Sequence, residues 1–83
     1  MIKKNIDVSV GEENARPIAK LVQLASQFKS NIELRQDNMT VNAKSIMGMM
    51  TLGLVQGQKL EISIDGEDEE MAMKDMEDYL TGK

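Results

Sequence analysis

The spacing of apolar residues changes several times within this chain of 83 residues, and these changes of period limit the fold more than any other feature. In 2–10, 31–42 and 59–64 apolar side chains alternate with polar ones, which is typical of half-buried strands. In 15–29 and 68–80 they recur at three- and four-residue intervals, the spacing of one helical face. The sequence therefore mixes strands and helices throughout.

A further short helix is predicted inside the segment KSIMGMMTLGLVQG, from Ile46 to Thr51 and ending near Gly53. The 31–42 segment contains QDN, whose residue types favour a turn, so it is expected to form a hairpin. The predicted order is β-α-β-β-α-β-α. In so short a chain we expect one α+β domain over 1–83, an open-faced sandwich with the helices packed on one face of a four-stranded sheet.

The composition excludes several classes of function. The chain has no histidine and no cysteine, so an enzyme would need a serine-lysine or carboxylate pair in a pocket that so small a chain seldom encloses. We predict a protein that is not an enzyme and needs no cofactor. Phe28 and Tyr79, the two aromatic residues, both lie on apolar stripes, which argues against direct nucleic-acid binding. No apolar run reaches membrane-spanning length and no signal sequence precedes the first strand, so a cytoplasmic location away from membranes is expected.

The net charge of −4 is unevenly placed. Residues 1–64 carry eight Lys/Arg and six Asp/Glu (+2), whereas 65–83 carry two and eight (−6). The acidic run at 65–70 lacks the ligand spacing of a calcium loop, so no metal site is predicted and the run is interpreted as the solvated, capped start of the last helix. The preceding part of the chain can still offer a basic surface to an acidic partner.

The segment GEENARP is the first candidate site. Asn14 stands where a side chain caps the first free amides of a helix, and Pro17 lies in the first turn, where its missing N–H costs nothing. One interpretation is a plain helix cap with Arg16 as a solvated charge. The other is an anion site, because free amides, the helix dipole and Arg16 converge there.

The segment NAKSIMGMM is the second candidate site. Ser45 can cap the short helix, and it can also be a phosphorylation switch, since the helix dipole stabilises a phosphate at that position. The apolar residues that follow are too many for so short a helix to bury, and they are Ile46, Met47, Met49, Met50, Leu52 and Leu54. They are either core or, in part, an adaptable docking surface beside Ser45.

The motifs NARP, VNAKSIMGMMTLG and GEDE, in this order of elements, resemble the HPr family of the bacterial sugar phosphotransferase system over nearly the whole chain. The resemblance implies an HPr-like open-faced β-sandwich with an antiparallel sheet. In that family the first motif reads His-Ala-Arg-Pro. Its histidine takes phosphate from enzyme I and passes it to sugar-specific carriers, while the serine of Lys-Ser-Ile-Met-Gly is phosphorylated by HPr kinase/phosphorylase.

Here Asn14 replaces the histidine, and Glu12 and Glu13 precede it. An amide nitrogen is not basic, so Asn14 cannot carry phosphate. The catabolite repression HPr-like (Crh) branch is similar in lacking the histidine and keeping the serine. This resemblance implies phosphorylation on Ser45, and a corepressor role with catabolite control protein A, a LacI-type regulator. The alternative is a non-transferring modulator that binds phosphotransferase enzymes. The residues expected to contact partners are Asn14, Arg16, Pro17, Lys20, Lys44, Ile46, Met47 and Met50.

Overall fold

Four strands and three helices follow the order β-α-β-β-α-β-α in the computed structural model, which describes residues 1–9 and 16–82. The strands are β1 (Ile2–Asp7), β2 (Asn31–Gln36), β3 (Met39–Asn42) and β4 (Lys59–Asp65). The helices are α1 (Arg16–Ser26), α2 (Ile46–Leu52) and α3 (Glu69–Leu80). The predicted order of elements is confirmed, and each predicted boundary that falls on described residues is met within three positions.

The strands form one antiparallel sheet in the order β1-β4-β2-β3. The register pairs Ile6 with Leu60 and Leu34 with Ile62. Because side chains alternate between the faces of a sheet, this register puts the apolar residues of neighbouring strands on the same face. The buried residues of that face are Ile6, Ile32, Leu34, Leu60, Ile62 and Ile64.

The helices complete the core by burying one stripe each. In α1 and the turn after it Leu21, Ala25 and Phe28 are buried, as the helical spacing predicts. In α3 the buried residues are Ala72, Met73, Met76 and Leu80. Helix α1 packs against both other helices, α3 packs against β1 and β4, and α2 packs against β3. The longest helix in the described part of the chain is α3 with 12 residues, and no helix there is long and apolar enough to cross a membrane.

The first strand is shorter than predicted. It ends at Asp7, although Val8 stays buried. The Val8 N–H donates to the Gln58 carbonyl at 2.8 Å, and the Val8 carbonyl accepts the Gly57 N–H at 2.7 Å. These two bonds run to the loop before β4, so Val8 leaves the regular ladder without losing its partners. The predicted continuation to Val10, and the predicted helix start at Ala15, lie outside the described residues.

The interpretation of the acidic run as a solvated helix start is wrong for Asp68. Asp68 is half-buried, and its carboxylate makes no capping bond to its own helix. The carboxylate instead accepts hydrogen bonds from the backbone N–H groups of Lys29 and Ser30, at 2.9 and 3.0 Å, and from the Ser30 hydroxyl. The Ser30 hydroxyl, followed by the Lys29 amide, lowers the pKa of Asp68. Asp68 thus ties the start of α3 to the loop between α1 and β2.

Candidate functional site

Ser45 lies on the surface immediately before α2. Asn42, at the end of β3, places it there. The Asn42 side-chain oxygen accepts the Lys44 N–H at 2.8 Å, and the Asn42 carbonyl accepts the Ser45 N–H at 3.0 Å. This is the local turn that asparagine favours. Sequence reasoning did not single out Asn42, although an asparagine three residues before a helix cap is a recognisable signal.

The Ser45 side chain caps α2, as predicted. Its Oγ accepts the Gly48 N–H at 3.2 Å, and its carbonyl accepts the Met49 N–H at 3.0 Å. Gly48 itself allows a close approach, since a Cβ there would lie 3.3 Å from the Val41 Cβ and 3.4 Å from the Ser45 Oγ. The Ser45 side chain is therefore held by the helix, while the residue remains exposed to solvent.

The Lys44 ammonium is used inside the protein. This half-buried side chain donates a hydrogen bond of 2.7 Å from Nζ to the carbonyl of Phe28, in the turn after α1. The bond joins the end of α1 to the start of α2. Lys44 remains a predicted partner contact, but its charge already has a partner within the chain.

The apolar run after Ser45 is split between core and surface. Met49 and Leu54 are buried at 0% and 6% exposure, whereas Ile46, Met47 and Met50 are exposed at 43%, 78% and 56%. We call Ile46, Met47 and Met50 the docking patch. The expectation that α2 cannot bury all of this run is confirmed, and the exposed subset contains the three apolar residues predicted to contact partners.

The remaining predicted contacts belong to the start of α1. Arg16 and Pro17 are the first two residues of the helix, and Lys20 is exposed one turn later. Helix α1 packs against α2, but the Lys44 bond meets the turn after α1, at the opposite end of that helix from its first two residues. Asn14, with the predicted cap and anion site that depend on it, lies outside the described residues.

The segments that form this surface carry no acidic residue. Residues 16–32 contain three Lys/Arg and no Asp/Glu, and residues 38–58 contain Lys44 and no Asp/Glu. The acidic residues of 65–80 belong to β4, α3 and the loop between them. A negatively charged group on Ser45 would thus have basic rather than acidic residues among its sequence neighbours.

Among residues 1–9 and 16–82, no group of three or more His, Cys, Asp or Glu side chains is placed to hold a metal ion. A shallow concavity lies on the outer face of the sheet, where Asn5, Asp7, Arg35 and Lys59 line it, and it includes none of the predicted contact residues. The feature that this arrangement offers is an exposed, capped serine beside an apolar patch.

Comparison with known proteins identifies the family. The family model for the PTS HPr component phosphorylation site matches residues 6–81. The chain therefore belongs to the HPr family, whose members are phosphocarriers of the phosphotransferase system that interact with its enzymes and are not enzymes themselves. Its relatives include the phosphocarrier protein HPr of Xylella fastidiosa, 49% identical over 84% of this chain and 79% of the relative. Another is the HPr of Neisseria meningitidis, 39% identical over 99% of this chain and 93% of the relative.

Solved structures give the same answer for the fold. The chain is similar to the HPr of Bacillus anthracis with a TM-score of 0.91 and 38% identity over 96% of both chains. It is similar to Crh of Bacillus subtilis with a TM-score of 0.75 and 37% identity over 96% of this chain and 93% of that one. The HPr-like fold is thus confirmed. The TM-score is higher for the phosphocarrier HPr (0.91) than for Crh (0.75), and the identities to these two structures are 38% and 37%. The comparisons therefore show the HPr family and do not place the chain in the Crh branch.

Proposed function

We propose that this protein is a regulatory member of the HPr family that does not carry phosphate on a histidine. In this proposal HPr kinase/phosphorylase phosphorylates Ser45, and the phosphorylated protein acts as a corepressor with the LacI-type catabolite control protein A. The observation that carries the proposal is the pairing of an exposed Ser45 in the family's serine motif with a chain that contains no histidine.

The absence of histidine removes the chemistry of a phosphocarrier. The family's phosphocarrier motif uses a basic histidine nitrogen, whereas the amide nitrogen of Asn14 is neither basic nor nucleophilic. Glu12 and Glu13 add two carboxylates beside that position, which repel an incoming phosphoryl group. If phosphorylation controls this protein, the phosphate must therefore be attached to a residue other than Asn14.

The surroundings of Ser45 support that other way. The side chain is exposed, its backbone is held by Asn42, and no acidic residue occurs in 38–58. A phosphate there adds about −1.5 to −2 charges at pH 7 and accepts charge-assisted hydrogen bonds, best from arginine or lysine of a partner. The docking patch would supply the apolar part of the same contact, and Lys20 and Arg16 would supply charge from α1.

The test is incubation with HPr kinase/phosphorylase and ATP, read by intact mass. We expect one added phosphate, located on Ser45. Ser45→Asn keeps a good capping side chain but has no hydroxyl, so it should remain folded and unmodified. The matched control is Thr51→Ala, which removes another exposed hydroxyl of α2, one that donates to the Met47 carbonyl at 3.0 Å. Thr51→Ala should be phosphorylated normally.

A second measurement addresses the partner. The phosphorylated chain should be retained by immobilised catabolite control protein A, and the unphosphorylated chain and Ser45→Asn should not. An unchanged mass after kinase treatment, or a phosphate that survives in Ser45→Asn, would contradict the proposal at its first step. Retention that ignores the phosphate would contradict it at the second.

One observation favours a second candidate function. The docking patch is exposed without any modification, so the protein could bind phosphotransferase enzymes, as members of this family do, and block them without transferring phosphate. This modulator would bind enzyme I equally well with Ser45 or with Ser45→Asn. Both proposals expect no label on the protein from phosphoenolpyruvate and enzyme I, and such a label would restore phosphocarrier chemistry through another residue.

A further inference from the structure

All sulfur in this protein belongs to methionine side chains, and some of these are buried in the core while others are exposed. The chain has eight methionines and no cysteine. Met49, Met73 and Met76 are buried at 0–5% exposure. The other five are exposed, and among them Met47 (78%) and Met50 (56%) are the two that lie together on one helix, whereas Met1 (69%), Met39 (40%) and Met71 (64%) lie elsewhere. Oxidation follows exposure, and in the absence of thiols the exposed thioethers are the sites that mild two-electron oxidants reach first.

We propose that Met47 and Met50 are a reversible oxidation site for peroxides, and that their conversion to sulfoxides closes the docking patch. The consequence for partner binding rests on the proposed function, because it takes the patch to be the surface that partners use. The oxidation itself rests on the exposure of both thioethers, and their shared position on α2 distinguishes them from the other exposed methionines.

The chemistry balances with a peroxide as the only co-reactant. A sulfur lone pair attacks one oxygen of hydrogen peroxide, the O–O bond breaks, and the S–O bond forms. The methionine sulfur loses two electrons and becomes the sulfoxide, while the second peroxide oxygen, after proton transfer, leaves as water. Methionine sulfoxide reductases reverse the change.

The local structure makes the sulfoxide costly to bury. A sulfoxide oxygen is a strong acceptor, and burying a polar group without a hydrogen-bond partner is unfavourable. The only side-chain donor within α2 is the Thr51 hydroxyl, and it already donates to the Met47 carbonyl. A partner shaped for an apolar surface would thus meet two polar groups that the helix does not satisfy.

The burial of Met49 confines oxidation within α2 to the surface. Met49 points into the core between the two exposed methionines and is fully buried, so peroxide can modify the patch while the anchor of α2 stays reduced. Met71, at 64% exposure on α3, is a comparable thioether outside the docking patch. It provides a control for oxidation that does not touch the patch.

The test uses graded hydrogen peroxide on the intact protein, on Met47→Leu/Met50→Leu and on Met71→Leu. Peptide fragmentation should place sulfoxides on Met47 and Met50 before Met49. Retention on a hydrophobic-interaction column should fall for the oxidised protein and for oxidised Met71→Leu. It should fall less for the double variant, in which only Met1, Met39 and Met71 remain as exposed methionines. The rate of Ser45 phosphorylation by HPr kinase/phosphorylase should fall roughly tenfold, which corresponds to the loss of one good interface contact, and should recover after methionine sulfoxide reductase treatment.

Each outcome separates the two proposals. Equal oxidation of Met49 and Met50, or unchanged column retention, overturns the oxidation site whatever the kinase does. An equal loss of phosphorylation in the double variant places the effect elsewhere and also overturns it. If the reduced protein is never phosphorylated, the proposed function fails, while the fragment map and the column still decide whether Met47 and Met50 are the oxidation site.

Discussion

Met49→Ala tests whether α2 is anchored as the structure shows. Met49 is fully buried, and truncation to alanine removes three heavy atoms from the core. Buried Met→Ala substitutions cost about 2–5 kcal/mol. Because α2 has only seven residues and packs at the side of the core next to β3, it can partly collapse onto the cavity, so we expect the lower part of that range, about 2–3 kcal/mol.

For a domain of this size, 1 kcal/mol shifts the melting temperature by roughly 4–8 °C, which gives a fall of about 10–20 °C. The assay is thermal and urea denaturation followed by far-UV circular dichroism. The matched variant is Met50→Ala, one residue away but 56% exposed, which should change the unfolding free energy by no more than about 0.5 kcal/mol. If both variants melt alike, α2 is not held by Met49, and the division of this helix into anchor and docking patch is refuted.

Three further predictions concern the frame of the molecule. Gly66→Ala would place a Cβ 2.5 Å from the Ser30 Cα, so the backbone must shift. We expect this to cost about 2 kcal/mol and to lower the melting temperature by about 10 °C. An unchanged melting temperature would contradict the close approach of Gly66 to Ser30. Asp68 has a pKa below its usual 3.8 because of the Ser30 hydroxyl and the Lys29 amide. Its stabilising contribution is present above that usual value and is lost as the pH falls through the folded pKa. Asp68→Asn should therefore flatten the dependence of melting temperature on pH below about 4, and an equally steep dependence would count against the network. Burial raises the pKa of Tyr79 above 10.0, so absorbance titration of this single tyrosine should give a midpoint above that value. The free energy of unfolding should decline as the pH rises through that midpoint. A midpoint at or below 10.0 would contradict the burial.

The elements were predictable because each carries its own local pattern. The alternation of Leu60, Ile62 and Ile64, and the helical stripe that ends at Leu80, reflect which side of each element faces the core. Gly53 marked the end of α2 because its φ of 76° suits glycine at that position. Such signals lie within a few residues of the feature they predict.

The features that sequence reasoning missed depend on residues far apart in the chain. Asp68 binds the backbone of Lys29 and Ser30, and Lys44 binds the carbonyl of Phe28. No spacing rule connects residues 68 and 30, because their approach is set by how β4 pairs with β2. In the candidate site, Ser45 and its cap were readable from local chemistry. Which of the following methionines face the solvent required the packing of α2 against β3.

The bond from Lys44 to Phe28 also bears on how fast a partner can bind. By joining the end of α1 to the start of α2, it holds the two helices that carry Lys20 and the docking patch in one fixed arrangement before any partner arrives. A partner of this surface then has little chain entropy to remove on binding. Association would then proceed between two preformed surfaces, at a rate set by diffusion and charge. Under the proposals made above, the phosphate on Ser45 and the oxidation state of Met47 and Met50 would set the lifetime of the complex.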